Sequence, residues 1–155
     1  MNVMILGSGR VGSTLARQLS QEGHQVTIID LTSDAFRRLG PRFKGQKIVG
    51  TGMDQDVLRR AGIEKADAFV AVTQGDNTNI MAAQIAQDVF HVGKVYARIY
   101  DPIRAGAYRE MGLSTICTTT LASGLFHSAI TGSNKLKGWQ EEMNDLDRQY
   151  RELVS

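Results

Sequence analysis

The sequence predicts an α/β fold in which helices cover both faces of a doubly wound, parallel sheet of six strands. Three observations lead to this prediction. Short apolar runs rich in β-branched residues alternate with segments of helical spacing through most of the chain. Each helical segment is long enough for the crossover that parallel strands require. With 155 residues, 42% of them hydrophobic and 22% charged, the chain has the size and composition of one globular domain.

The first unit of this fold is strand, helix, strand. Residues 3–6 and 26–29 are the apolar runs, and the second run ends at Asp30. The intervening helix is predicted to end near Gly23, where glycine suits a left-handed C-terminal position. Its apolar stripe has the spacing of a helix and consists of Val11, Leu15 and Leu19.

The alternation then continues to residue 117. Helices are expected at residues 33–39, 54–61, 77–90 and 103–111, and strands at 47–49, 68–72, 94–99 and 114–117. Right-handed crossovers between such strands place helices on both faces of the sheet.

After Thr118 the alternation stops, and the sequence predicts a different organisation. Residues 121–130 could form one more helix, and residues 132–134 form a break, so the core domain is expected to span residues 1–134. Residues 135–155 are charged and predict an amphipathic helix, either packed on its own domain or in contact with another subunit. Its apolar residues recur at spacings of three and four: Trp139, Met143, Leu146, Tyr150 and Leu153.

Bulk charge and composition exclude several functions. A net charge of +2 with interspersed signs gives little field for attracting nucleic acid or anionic lipid. Cys117 is the only cysteine, and no apolar stretch approaches the roughly 18 residues of a membrane span, so a cytoplasmic location without direct membrane insertion is expected. The three histidines are scattered, and neither a Walker motif nor a metal-ligand spacing occurs. The sequence therefore predicts no active site.

The turn after the first strand is the strongest site signal, and it reads Gly7-Ser8-Gly9-Arg10-Val11-Gly12. This GxGxxG pattern between a strand and a helix is typical of Rossmann-like domains, in which free N–H groups and the positive helix end meet a pyrophosphate. Arg10 could add charge over the phosphates, or it could be a solvated arginine. Tight turns of this composition also occur without a ligand.

Asp30 lies about 20 residues beyond the glycines, where a carboxylate can accept hydrogen bonds from both ribose hydroxyls. The alternative is that Asp30 caps the following helix. No basic residue immediately follows it, so a ribose 2′-phosphate would meet repulsion and an NADP-type ligand is disfavoured.

Polar residues at the ends of the fourth and fifth strands are further candidates. Thr73 and Gln74 follow the fourth strand with Asn79 close behind, and ligands of open α/β sheets bind at such carboxyl ends. Arg98 ends the fifth strand and either contacts the ligand or pairs with Asp101, since an arginine among strand residues needs a partner.

Several separated motifs together resemble the TrkA N-terminal, or RCK (regulator of potassium conductance), domain family over about residues 2–132. They are the glycine turn with Asp30, Val57-Leu58-Arg59-Arg60-Ala61-Gly62-Ile63, Ala66-Asp67-Ala68, Val72-Thr73 with Asp76 and Asn79, and Ala97-Arg98-Ile99 with Asp101-Pro102. Dehydrogenases share the first of these elements but do not usually carry the later ones in this order.

The resemblance implies a non-catalytic regulatory subunit that binds NAD(H), ATP, ADP or AMP and controls a membrane-embedded potassium channel or transporter. It implies a homo-oligomer, a dimer or a ring of dimers, on the inner face of the membrane. By position, the glycine loop would hold the phosphates, Asp30 the ribose, and other residues would line the site. The full predicted set is Gly7, Ser8, Gly9, Arg10, Val11, Gly12, Asp30, Leu31, Thr51, Gly52, Met53, Thr73, Gln74, Asn79 and Arg98.

The chain departs from the family pattern in two ways. After the third strand it has Gly50-Thr51-Gly52-Met53 where the family usually has Gly-Asp, so the acid expected beside the adenosine is missing. It also lacks the length for the smaller C-terminal domain of many members, which leaves open whether it is a one-domain subunit or part of a longer protein. An NAD-dependent oxidoreductase domain and an interaction module with an empty glycine loop are the alternatives.

Overall fold

A computed structural model describes residues 1–132 and shows a parallel six-stranded sheet. The strands are β1 (Asn2–Leu6), β2 (Gln25–Asp30), β3 (Gln46–Val49), β4 (Ala68–Ala71), β5 (Lys94–Arg98) and β6 (Thr115–Ile116). Their order across the sheet is β3-β2-β1-β4-β5-β6, and every pairing is parallel. The chain reverses its direction of travel between β1 and β4, which creates the switch point where ligands bind in such sheets.

Five α-helices follow the strands within residues 1–132: α1 (Arg10–Gln21), α2 (Gln55–Arg60), α3 (Asp76–Gln84), α4 (Pro102–Glu110) and α5 (Thr118–Thr131). Two short 3-10 helices, Ser33–Leu39 and Ile63–Lys65, complete the connections. The predicted amphipathic helix at 135–155 and the end of the predicted core domain lie outside the described residues.

Strand β1 shows how the two faces of the sheet are covered, because its side chains alternate between two apolar clusters. Met4 and Leu6 pack with residues of α2, α3 and α4. Val3 and Ile5 pack with Ala16 of α1 and with the 3-10 helix after β2. The predicted doubly wound arrangement, with helices on both faces, is confirmed.

Two predicted helices differ from regular α-helices. The segment after β2 is a 3-10 helix, and its two buried side chains, Phe36 and Leu39, are three residues apart, which puts them on one side at three residues per turn. Helix α3 widens into a π-helical turn over Ile85–Val89, where the Phe90 N–H donates to the Ile85 carbonyl five residues earlier.

Helix α5 differs from the other helices because none of its residues is buried. Its large apolar side chains Leu121, Phe126 and Ile130 are exposed, and Phe126 keeps 70% of its surface open. Tyr96 of β5 and Ile116 of β6 are also exposed, so these outer strands are covered less completely than the centre of the sheet. No helix within residues 1–132 is both long and apolar enough to cross a membrane.

Candidate functional site

A cleft of about 750 Å³ lies at the carboxyl ends of the strands, over the switch point between β1 and β4. The turns after β1, β2, β3 and β4 supply most of its wall, and Arg98 and Tyr100 close it on the β5 side. The position agrees with the general rule for open α/β sheets.

Two glycines of the loop after β1 are required by the fold itself. Gly7 has φ +104° and lies against the Thr73 backbone, so a side chain there would be strained and crowded. Gly12 packs so closely on the turn after β1 that an added Cβ would lie 1.8 Å from the Gly7 carbonyl oxygen. Both residues allow α1 to begin directly above the strand.

Gly9 differs from these two because neither its backbone angles nor its packing requires a glycine. Its φ is −71°, which any residue adopts, and no atom outside its immediate neighbours lies within 4 Å of an added Cβ. Gly9 is the N-cap of α1 and supplies no side-chain hydrogen bond, and the first turn of the helix has no acidic residue. The amino end of α1 therefore opens into the cleft with its first N–H groups uncapped by any side chain.

Asp30, at the end of β2, faces the glycine loop across the cleft. One carboxylate oxygen accepts the Ser8 N–H at 2.6 Å, and the other accepts the Thr32 N–H at 3.3 Å. These two amide donors do not use all of the acceptor sites that a carboxylate has. The alternative that Asp30 caps the following helix is wrong, because the N-cap is Thr32 and no side chain bonds there.

The residues after β4 are fixed by a buried amide. Asn79 is fully buried, and its Oδ1 accepts from the Thr73 N–H at 2.8 Å and the Thr73 hydroxyl at 2.7 Å. Its Nδ2 donates to the carbonyls of Thr73 and Arg98 at 3.0 and 2.9 Å. Asn79 uses its amide to join the ends of β4 and β5, so it shapes the cleft from behind the wall.

Arg98 lies on the wall of the cleft but does not pair with Asp101. Its Nη2 donates to the carbonyls of Val72 and Thr73 at 2.9 and 2.7 Å, and its guanidinium carbon lies 4.6 Å from the centroid of the Tyr100 ring. Asp101 instead caps α4, where its carboxylate accepts from the Ile103 and Arg104 N–H groups. The alternative of a pairing with Asp101 is wrong, because carbonyls at the end of β4 accept hydrogen bonds from the arginine.

Most of the residues predicted for the site come together on this cleft. Those on its wall are Gly7, Ser8, Gly9, Arg10, Val11, Asp30, Leu31, Thr51, Gly52, Met53, Thr73, Gln74 and Arg98. Gly12 and Asn79 are the two that do not line it, since one packs α1 on β1 and the other joins β4 to β5. The Thr51 hydroxyl, in place of the family acid, accepts the Met53 N–H at 3.3 Å.

Sequence reasoning missed several lining residues that tertiary folding brings in, among them Thr32, Ala35, Arg38, Thr78 and Tyr100. Arg38 changes the chemistry most, because it adds a third guanidinium to a wall with one carboxylate. Its position on the second 3-10 turn after β2 is not part of the motif that points to Asp30, so no local signal identifies it.

Groups for chemistry are scarce on this wall. Asp30 is its one acidic side chain among residues 1–132, and no histidine or cysteine lines it. The same part of the chain contains no group of three or more His, Cys, Asp or Glu residues that could hold a metal ion.

The strand order and the glycine turn over the switch point define a Rossmann-like domain of the doubly wound class. The chain belongs to the TrkA-N domain family, whose sequence model matches residues 3–119.

Several relatives by sequence carry the name of the Trk potassium uptake system. The chain is 53% identical over 118 residues to the Trk system potassium uptake protein TrkA of Streptomyces coelicolor, covering 76% of this chain and 53% of that protein. It is 40% identical over 108 residues to TrkA of Halomonas elongata, covering 70% of this chain and 23% of that one. The chain thus spans about half of the first relative and about a quarter of the second.

Solved structures share the fold at low sequence identity. The Kef CTD of Shewanella denitrificans in its AMP bound form superposes with a TM-score of 0.73 at 23% identity, over 99% of this chain and 96% of that one. The RCK domain of GsuK superposes with a TM-score of 0.71 at 19% identity, over 86% of this chain and 29% of that one.

Proposed function

We propose that this domain is a non-catalytic regulatory module that binds an adenine nucleotide in the cleft and so controls potassium uptake by a membrane channel or transporter. The observation that carries the proposal is the open space around Gly9 at the uncapped amino end of α1. Neither backbone strain nor packing requires a glycine at this uncapped helix end, but a glycine there lets a phosphate approach the N–H groups of α1.

The remaining wall fits the other parts of such a ligand. Arg10, exposed beside the same helix end, supplies a charge-assisted contact to the phosphates. The free acceptor sites of Asp30 face the ribose hydroxyls. Leu31 and Met53, both exposed and on the wall, offer apolar surface to the base.

Similar proteins support this choice of ligand class. The Kef CTD superposes in an AMP bound form, and the GsuK channel bound to NAD superposes with a TM-score of 0.62. We infer that NAD(H), ATP, ADP and AMP are the candidate ligands, and that the wall without a second acid or a histidine binds them without turnover.

The names of the relatives and the exposed surface of α5 support a proposal about the partner. Curated relatives are named for potassium uptake, and α5 leaves large apolar side chains uncovered. We propose that the domain acts at the cytoplasmic face of the membrane as a homo-oligomer, a dimer or a ring of dimers, attached to a potassium channel or transporter subunit. Exposed apolar surface of this kind is typical of contact sites.

Isothermal titration calorimetry with ATP, ADP, AMP and NADH tests the ligand. We expect saturable binding of at least one of them below about 1 mM, near the top of the ordinary range for cellular ligands. Absence of binding for all four at that concentration would reject the proposal.

The variant Gly9→Asp gives a sharp control for the site. Aspartate is a good N-cap, so it should satisfy the N–H groups of α1 and raise the free energy of unfolding by about 0.5 kcal/mol. The same carboxylate repels and displaces a phosphate, so we expect affinity to fall by about a hundredfold, as for a lost charge-assisted anion contact of ~3 kcal/mol. A stable variant that still binds nucleotide normally would place the phosphates elsewhere. In cells, replacing the wild-type gene with this variant should alter growth at limiting potassium.

A further inference from the structure

Arg38 is an arginine of the cleft with no partner inside the described chain. Within residues 1–132 its guanidinium has no hydrogen bond, ion pair or ring contact, and its backbone carbonyl accepts a hydrogen bond from the Arg17 side chain. Its neighbour Arg37 on the same 3-10 helix pairs with Asp34 and does not line the cleft. An exposed cation that borders a ligand cleft without a protein partner is available to an anion.

Hydrogen bonds of Ser8 locate Arg38 on the ribose side of the cleft. The Ser8 N–H donates to Asp30 at 2.6 Å, and its hydroxyl donates to the Ala35 carbonyl at 3.1 Å. The 3-10 helix is therefore anchored beside the same loop residue that Asp30 contacts. Arg38 lies one turn beyond Ala35, whereas Arg98 closes the opposite side, after β5.

We propose that Arg38 makes this cleft accept adenine nucleotides that carry a phosphate on the ribose 2′ position. The inference rests on the proposed function and deepens it. A 2′-phosphate carries about −1.5 to −2 charges near neutral pH, and a guanidinium binds phosphate with two parallel hydrogen bonds. The expectation from sequence, that such a phosphate meets uncompensated repulsion, considered only the residues immediately after Asp30.

Asp30 is compatible with this ligand because its charge is already partly compensated. The Ser8 and Thr32 amides both donate to it. The repulsion that remains is opposed by Arg38, which borders the same cleft. The wall near the ribose is thus balanced rather than acidic.

Calorimetry with 5′-AMP and adenosine 2′,5′-bisphosphate tests the proposal, since these ligands differ only in the 2′-phosphate. Wild-type protein should bind the bisphosphate at least as tightly as AMP. Arg38→Ala should weaken the bisphosphate about tenfold, the factor that ~1.4 kcal/mol gives, and change AMP by less than about twofold. Arg37→Ala removes the same charge from the same helix and should leave both affinities unchanged.

Three outcomes would overturn the assignment. One is a wild-type protein that binds AMP but rejects the bisphosphate, and another is an equal loss of both ligands in Arg38→Ala. The third is a loss of ATP in Arg38→Ala as large as that of the bisphosphate, because Arg38 would then contact the 5′-phosphate chain. Failure of every adenine nucleotide to bind wild-type protein would instead reject the proposed function itself.

Discussion

The amino ends of α1 and α4 differ in what satisfies their first N–H groups. At α4 the Asp101 carboxylate accepts from Ile103 and Arg104 at 2.8 and 3.2 Å, and Pro102 removes one donor altogether. At α1 the corresponding position is Gly9, which has no side chain to offer. Both helices start after a strand of the same sheet, so topology does not explain the difference.

Their surroundings do explain it. The end of α1 lines the cleft, whereas Asp101 and Pro102 do not. Helix α2, whose first residue also lies off the cleft wall, has an aspartate cap as well, since Asp54 accepts from Asp56 at 2.8 Å. An aspartate closes a helix end where only the fold uses it, and glycine leaves α1 open where a ligand can complete it.

The largest expected difference between α1 and α4 is in how an alanine in place of a helical glycine changes the free energy of unfolding. Gly12→Ala in α1 forces a Cβ against the Gly7 carbonyl, so we expect a loss of about 3 kcal/mol or more in the free energy of unfolding. Gly106→Ala in α4 meets no atom within 4 Å and should gain about 0.5 to 1 kcal/mol from helix propensity. Urea denaturation measures both, and equal effects would contradict the close packing of α1 on the turn after β1.

Removal of the α4 cap should affect stability alone. Asp101→Ala leaves two N–H groups without their acceptor, so the free energy of unfolding should fall by about 1 kcal/mol. Asp101→Asn keeps an acceptor and should recover most of this loss. Nucleotide affinity measured by calorimetry should not change in either variant, and a large change would mean that α4 belongs to the binding site.

The smallest expected effect concerns the charge beside the open helix end. Arg10→Ala should weaken nucleotide binding about threefold at low salt, as expected for an exposed ion pair worth under ~1 kcal/mol. The difference from wild type should shrink as ionic strength rises. Arg42, which is exposed but off the cleft, gives the control variant Arg42→Ala with the same change in net charge. An equal loss there would assign the effect to overall charge.

Local patterns were enough to predict the six strands and that helical crossovers join them into a parallel sheet. Alternating apolar runs and crossovers are properties of short segments, and the glycine turn with Asp30 marks the switch point by itself. The start of α5 was missed because its cap is the Cys117 sulfur, which accepts the Thr120 N–H at 3.4 Å, and cysteine is not a usual cap. The widening of α3 at Ile85 has no signal in the apolar spacing.

Side chains that reach the cleft from distant segments could not be predicted in the same way. Arg38 and Tyr100 line it because the 3-10 helix packs against the glycine loop and β5 lies beside β4. The sequence could not show that Arg98 would not pair with Asp101. Arg98 donates instead to carbonyls 25 and 26 residues away, which only the sheet brings within reach.

With the proposed ligand bound at the open end of α1, the stability of the folded state would also report the ligand concentration. By mass action, a nucleotide present at a hundred times its dissociation constant would add about 2.7 kcal/mol to the free energy of unfolding. Amide hydrogens at the start of α1 should then exchange slowly with solvent in the loaded domain and quickly in the empty one. Rigidity of the region above β1 would in this way follow the concentration of a metabolite.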